Sequence, residues 1–356
     1  MPLDETIFLT GFPGFIAGRL IERLAIEGAR FLLLVQPALM ERARADVARL
    51  SAATGSSAEQ FRLLAGDITQ PDLGLQPEDL LLARAETTVL FHLAAIYDLA
   101  VARTLALRVN VEGTRNINAF AETLARLRHY HYVSTCYVAG RRTGLILENE
   151  LHHTAGFRNY YEETKYLAEV EVEQLKTRLP VTIHRPSVVC GDSQTGETAK
   201  YDGIYYLIHY LRKNPSLLSR FNIGNRRVRF NLVPVDFIVE ALARLTRDER
   251  ALGATLQLAD PAPLTSSELF DAIAQALTGR RSSLMFPPQI VRASLALPLS
   301  EKLSGLPRVA VPYFFLEQTY DTTRARELLA PHNVACPPFP SYVDALVRYV
   351  AQHPNL

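Results

Sequence analysis

The sequence predicts an α/β fold, a doubly wound parallel sheet with a smaller mixed α/β carboxyl-terminal lobe. Three observations carry that expectation. Short, nearly all-apolar runs alternate with longer amphipathic ones through the first half of the chain, the pattern of strands buried on both faces by crossover helices. A glycine turn, Gly11-Phe12-Pro13-Gly14, separates the first apolar run from the first helical one. The chain has 356 residues, 48% of them hydrophobic, enough to bury a large core in one domain or two fused ones.

Taken in order, residues 7–10 read as the first strand and 16–25 as its helix. Residues 31–35 are a second strand, followed by helical pattern from about 41 to 50. Strands are expected at 61–65 and 88–93, then a long helical run from about 102 to 127. A fifth strand falls at 130–134, a helix begins near Tyr161, and a sixth strand covers 181–185. Short right-handed crossovers between such units build a Rossmann-type sheet. After Pro186 the texture changes. A polar loop spans 191–200, helical patterns cover 205–213 and 236–245, residues 256–258 suggest a strand, and 266–277 a helix capped by Thr265 or Ser266. Residues 281–320 show prolines and apolar groups without a period. The expected division is a dinucleotide-binding domain at 1–190 and a substrate-binding lobe at 191–356, packed intimately over the carboxyl ends of the strands.

Lys plus Arg is 38 and Asp plus Glu is 37, a net charge of +1, which points away from nucleic acid. Three scattered cysteines match no metal-ligand spacing, so no metal is expected. They suit a reducing, cytoplasmic setting. No signal peptide or bilayer-spanning run is evident. Peripheral membrane contact stays open, and a monomer or homodimer is expected.

The turn Thr10, Gly11, Phe12, Pro13, Gly14, Phe15 and Ile16 stands where a strand meets a helix. Its glycines allow close approach of a pyrophosphate to free N–H groups and the positive end of the helix dipole. Ala17, at the third position of the spacing, is small enough for tight helix–strand packing. The second strand ends in Gln36 rather than a carboxylate, with Arg42 and Arg44 following and Arg19 in the first helix. An arginine accepts a 2′-phosphate, so NADPH is favoured over NADH. Asp67 and Ile68 are placed to border the adenine, and Leu93, Ala94 and Ala95 to pass beneath the ribose and pyrophosphate.

Tyr161 and Lys165 are four residues apart and share a helix face. A neighbouring ammonium favours phenolate and lowers the tyrosine pKa, fitting Tyr161 to exchange a proton with a carbonyl oxygen.

The chain resembles the extended short-chain dehydrogenase/reductase superfamily from about residue 6 to 240. The resemblance rests on Thr10-Gly11-x-x-Gly14, Gly66-Asp67-Ile68, His92-Leu93-Ala94-Ala95, Asn110-Val111-x-Gly113-Thr114, Val133-Ser134-Thr135, Tyr161-x-x-x-Lys165 and Arg185-Pro186-Ser187. Within it, the run 184–196 and Leu232-Val233-Pro234-Val235-Asp236 look most like the thioester-reductase and fatty acyl-CoA reductase branch. The resemblance implies Tyr161 as general acid, Lys165 as its partner and a hydrogen-bond donor to the nicotinamide ribose, and Thr135 as the hydroxyl that holds the substrate oxygen. It also implies Asn110 at the cofactor site, and Pro186, Ser187 and Val188 beside the nicotinamide. The implied activity is NADPH-dependent reduction of a small-molecule or carrier-bound acyl thioester to aldehyde or alcohol. Alternatives are a carbonyl or hydroxysteroid-type alcohol dehydrogenase and a nucleotide-sugar epimerase or dehydratase. The flank Tyr160-Tyr161-Glu162 departs from the Pro-Tyr-Gly of many epimerase-like members. Phe286-Pro287-Pro288 and residues 311–315 are apolar enough to line an acyl groove or simply to be core. Cys136, expected on the opposite strand face from Thr135, is not expected to act covalently, and His92, His131 and His184 read as structural.

Overall fold

The computed structural model describes residues 5–295, 301 and 306–355. Strands and helices are numbered along the chain. Seven parallel strands form one sheet: β1 (Thr6–Thr10), β2 (Arg30–Val35), β3 (Phe61–Ala65), β4 (Val89–His92), β5 (His129–Val133), β7 (Val181–Pro186) and β11 (Thr255–Leu258), in the order β11-β7-β5-β4-β1-β2-β3. Three parallel two-stranded ribbons accompany it: β6 (Gly144–Ile146) with β13 (Gln318–Tyr320), β8 (Val188–Cys190) with β10 (Leu232–Pro234), and β9 (Phe221–Asn222) with β12 (Leu284–Met285).

The apolar runs became the central strands because both sheet faces are covered. Every residue of β1 is buried, and its side chains alternate. Ile7 and Leu9 pack with Leu20 and Ile21 of α1 (Phe15–Ala25) and with Ile238 and Leu242 of α9 (Val235–Leu245). Phe8 points to the other face, 4.7 Å from the ring of Phe120 in α5 (Gly113–Glu122). Burying each such side chain contributes about 1.5–3 kcal/mol. On the outer part of the sheet, α2 (Met40–Thr54) and α3 (Pro77–Glu86) complete the cover. The strand order reverses between β1 and β4, which opens a crevice at their carboxyl ends.

The long helical run is not uniform. Short α4 (Arg103–Ala106) leads into a π-helical stretch, Leu107–Glu112, before α5. Helix α6, which carries Tyr161 and Lys165, spans Tyr160–Glu173, and Asn159 caps it by accepting from Glu162 N–H at 3.0 Å.

The sheet also takes in residues beyond the approximate boundary at 190. Residues 235–258 return to the sheet: α9 packs on α1, and β11 is an edge strand paired with β7 from Thr255↔Ile183 to Leu258↔Pro186. The strong apolar stripe of α9, with Val235, Ile238, Val239, Leu242 and Leu245 buried, has a sheet face to cover. The remaining lobe has its own core, in which α7 (Tyr205–Arg212), α8 (Pro215–Leu218), α10 (Ser266–Thr278) and the carboxyl-terminal helix α13 (Val343–Gln352) meet around Phe270, Tyr342 and Leu346. Thr265 caps α10 in a reciprocal box with Glu268. The unpatterned stretch 281–320 contains β12, α11 (Pro288–Leu295), 3-10 turns over Arg308–Phe315 and β13; its residues 296–300 and 302–305 lie outside the described residues. Helix α12 (Thr323–Leu329) is tied to the sheet through Glu148. That carboxylate accepts from Gln257 N–H of β11 at 2.9 Å and from Arg324 N–H at 2.6 Å.

Candidate active site

A cleft of about 800 Å³ lies at the carboxyl ends of the strands, on the crevice where the order reverses. The structure brings to it Thr10 through Ile16, Gln36, Arg42, Asp67, Ile68, Leu93, Ala94, Ala95, Thr135, Tyr161, Lys165, Pro186, Ser187 and Val188. Asn110 is the one expected site residue that does not line it.

On one side the cleft is a cradle for phosphate. Gly11 has φ +95°, and a Cβ there would sit 2.9 Å from the Ala94 nitrogen; a Cβ on Gly14 would meet the Gly11 carbonyl at 2.5 Å. Gly14 is the N-cap of α1, whose first turn has no acidic residue and no side-chain cap. The orphan N–H groups of that turn are left for an anion. Ala17 is buried behind it. These features fit a dinucleotide pyrophosphate. Thr10 Oγ1 accepts from Ala94 N–H at 3.2 Å and meets His92 Nδ1 at 2.8 Å; His92 Nε2 lies 3.0 Å from Thr114 Oγ1, which donates to Asn110 carbonyl. The chain of donors assigns the neutral Nε2–H tautomer to His92, and burial pushes its pKa down to about 3. It is a strut between β1, β4 and the π-helical stretch.

Of the three arginines near the expected ribose end, only Arg42 lines the cleft, with Gln36 and Leu39 beside it; its nearest carboxylate oxygen, on Asp46, is 3.8 Å away. Arg44 pairs with Glu41. Arg19 pairs with Asp192 and, at 3.5 Å, with Glu197, so it ties α1 to the polar loop after β8.

On the other side stand Thr135, Tyr161 and Lys165. Thr135 ends the extended run after β5 and caps a 3-10 turn, accepting from Tyr137 N–H at 3.2 Å. Beside it the Tyr161 phenol is buried against Val101, Ala106 and the edge of Tyr97 at 5.2 Å. The expected electrostatics need correction. Burial raises the Tyr161 pKa, only partly offset by Thr135, and Lys165 is not among the groups that lower it. Lys165 instead donates to Tyr132 Oη at 3.1 Å and to Val133 carbonyl at 2.9 Å, with its ammonium over the Tyr132 ring. Burial lowers its own pKa to about 8. The phenol is therefore protonated at neutral pH, as a proton donor must be, and one of the three lysine N–H groups is left unspent.

Asn110 acts behind the site. Its amide accepts from Ile96 N–H at 2.8 Å and donates to Thr164 Oγ1 at 3.0 Å. The π-helical turn aims it inward, locking the loop after β4 to α6. Gly113, three residues on, lets α5 approach Ile68, where a Cβ would come within 2.7 Å of Ile68 Cδ1. The Arg185-Pro186-Ser187 element is equally legible in three dimensions. Buried Arg185 donates from Nε to Glu169 Oε1 at 2.8 Å and from Nη1 to Glu150 carbonyl at 3.0 Å, while Ser134 donates to the other oxygen of Glu169. Glu169 is one turn beyond Lys165, so this pair fixes the helix that carries the site.

Cys136 is buried and turned from the cleft, its thiol donating to Arg185 carbonyl at 3.1 Å; burial raises its pKa. It lies in the turn capped by Thr135, so turn geometry, rather than strand alternation, takes it away. Glu162, the departure after Tyr161, is fully buried and accepts from the Tyr313 hydroxyl at 2.6 Å. Tyr313 in turn accepts from Asn159 Nδ2 at 2.7 Å, latching the lobe to the start of α6. Other cleft residues escaped the sequence reading: Tyr97, Arg108, Tyr137, and Lys200 and Asp202 of the lobe loop. Tyr97, Lys200 and Asp202 sit in no periodic element, Tyr137 sits in the short 3-10 turn, and Arg108, though within the long helical run, carries no motif that would have marked it.

A reversed parallel sheet, a glycine cradle on its crevice and a Thr–Tyr–Lys set facing that cradle are the fold and site of extended short-chain dehydrogenase/reductases. The chain belongs to the Male sterility protein family of NAD-binding domains, whose profile matches residues 9–242. It is 26% identical over 275 residues to "Fatty acyl-CoA reductase wat" of Drosophila melanogaster, covering 67% of this chain and 53% of that one. It is 25% identical over 288 residues to "Nonribosomal peptide synthetase asaC" of Aspergillus flavus, covering 75% and 27%. The chain thus spans about half or less of the length of these relatives. In three dimensions it is similar to the terminal R domain from the myxalamid PKS-NRPS biosynthetic pathway, with a TM-score of 0.83, 24% identity, and coverage of 100% of this chain and 93% of that one. No helix among the described residues is long and apolar enough to cross a membrane.

Proposed function

We propose that this chain is an NADPH-dependent reductase of acyl thioesters, carried by coenzyme A or a carrier protein, with Tyr161 as proton donor. The observation that carries the reading is the convergence of Thr135, Tyr161 and Lys165 on one cleft with the Gly11–Gly14 cradle. The similarity to a fatty acyl-CoA reductase and to a nonribosomal peptide synthetase supports the substrate class.

With its pyrophosphate in the cradle and its nicotinamide beside Pro186 and Ser187, NADPH would supply hydride to the carbonyl carbon. Thr135 and Tyr161 offer hydroxyls where negative charge grows on the carbonyl oxygen. The Tyr161 proton passes to that oxygen, giving a hemithioacetal. Cleavage of its C–S bond, with the hydroxyl proton passing to sulfur, releases aldehyde and thiol. A second hydride and proton take the aldehyde to alcohol. Lys165, held by Tyr132 and the Val133 carbonyl, would offer its remaining N–H to the ribose. Arg42, with no acid at the end of β2 to repel a phosphate, holds the 2′-phosphate.

The test is loss of NADPH absorbance with acyl-CoA and carrier-bound acyl substrates. Turnover of a ketone or hydroxysteroid with none of any thioester would move the assignment to a carbonyl dehydrogenase. Tyr161→Phe should retain NADPH binding, measured by fluorescence, while turnover drops by about 10²–10⁴. Arg42→Ala should raise the KM for NADPH about ten-fold or more, as expected for a lost charge-assisted bond, and leave that for NADH unchanged. An equal effect on both cofactors would remove Arg42 from the 2′-phosphate site.

A further inference from the structure

The lobe holds a second cavity, of about 750 Å³, walled by Leu207, Phe230, Leu269, Phe270, Val291 and Phe314. Its mouth is at Phe286 and Ile290, which line it yet are 41% and 57% exposed. Beside them Leu284 and Met285 of β12 are 59% and 38% exposed. The Phe286 ring lies 5.6 Å from Phe221 of β9, so these side chains form one apolar lip. Arginines surround it. The Arg220 carbonyl accepts from Leu284 N–H at 2.9 Å, Arg280 and Arg281 run into β12, and Arg226 and Arg227 follow the cavity residues Gly224 and Asn225. Arg292 lies 5.9 Å over the ring of Phe315, another cavity residue.

All six arginines are exposed, and none has a carboxylate within 4.0 Å among the described residues. Two acids of α10 are engaged elsewhere: Asp271 accepts from Asn222 Nδ2 at 3.1 Å and from Ser282, and Glu268 caps α10. In a chain with a net charge of only +1, this is a local concentration of cations around exposed hydrocarbon.

We propose that this lip docks on an anionic lipid bilayer, with the arginines on headgroup phosphates and Leu284, Met285, Phe286 and Ile290 among the acyl chains. An acidic protein would satisfy the arginines but cap the cavity with polar surface. A bilayer satisfies both, because the mouth of a hydrocarbon-walled cavity then faces hydrocarbon. Interfacial binding of this kind joins apolar insertion to attraction by anionic lipid.

The test is co-sedimentation with phosphatidylcholine vesicles, with and without phosphatidylglycerol. Binding should require phosphatidylglycerol and weaken as salt is raised. Each arginine should contribute about five-fold, so Arg226→Ala, Arg227→Ala, Arg280→Ala and Arg281→Ala combined should lose several hundred-fold. Phe286→Ser with Ile290→Ser should weaken binding while leaving its salt dependence in place. Unaltered melting temperatures show that both variants fold, since every substituted side chain is exposed. Absence of binding to anionic vesicles at low salt, or binding indifferent to the four arginines, overturns the proposal. So does capture of an acidic carrier protein, lost in the arginine variant, when vesicles are not bound. Vesicle binding is read without turnover, so its failure and that of the reductase assignment are separate results.

Discussion

Lys165 shows how a site residue is set by its neighbours. It is buried, its ammonium held by Tyr132 and the Val133 carbonyl, and its pKa is lowered to about 8. The positive charge it brings to the cleft is present below that value and lost above it. We expect kcat/KM for thioester reduction to fall as pH rises through about 8, and Lys165→Arg, where active, to move that alkaline limb upward. A profile flat through this range would show that the lysine charge is not needed. The four-residue spacing of Tyr161 and Lys165 made their shared helix face legible in the sequence. The protonation of each was not legible. It depends on burial by Val101, Ala106 and Tyr97, which come from a different part of the chain.

At the scale of elements, α6 is placed by bonds that no local pattern announces. Glu169 and Arg185 lie sixteen residues apart on α6 and β7, and both are buried. Removing one partner of such a pair strands the other charge and costs about 3–5 kcal/mol. Glu169→Ala should lower the unfolding free energy by that amount in chemical denaturation, and Glu169→Leu with Arg185→Met should cost less than either partner alone. A double-variant loss equal to the sum of the two single losses would mean that the pair does not act as a unit. Arg185 lay within a segment that carried the family resemblance and Glu169 one turn beyond another, so their presence was visible but their partnership was not. The long helical run illustrates the same limit. Its period was legible, whereas the π-helical turn that aims Asn110 at Ile96 and Thr164 depends on contacts with α6.

For the whole molecule, the sheet interior predicts the response to acid. His92, His129, His131 and His184 are buried with depressed pKa values, to about 3 for His92 and His184 and about 4 for His129, with desolvation the first cause in each. The unfolded chain takes up these protons near pH 6.5, and the folded chain does not. Their contribution to stability is therefore complete above about 6.5. It is lost as pH falls below that value, at up to about 1.4 kcal/mol per pH unit for each histidine. The melting temperature should drop steeply between pH 7 and 5. Replacing His129 by Gln should flatten the slope; an unchanged slope would put the acid sensitivity elsewhere.

From the sequence by itself followed the parallel α/β class, the order of the first six strands, the glycine cradle and the Thr135–Tyr161–Lys165 set. The strands, the cradle and the Tyr161–Lys165 pair are written locally, in hydrophobic period, in turn residues and in short spacings, while Thr135 joined them through the family resemblance. Tertiary structure decided that residues 235–258 rejoin the sheet and that Arg19 serves the lobe while Arg42 serves the cleft. It also decided that Asn110 braces rather than lines the site, and that the lobe encloses an apolar cavity behind a cationic rim. Each of these depends on groups distant in the chain being brought within a few ångströms, and a local pattern records only that a residue is buried, not which residue buries it.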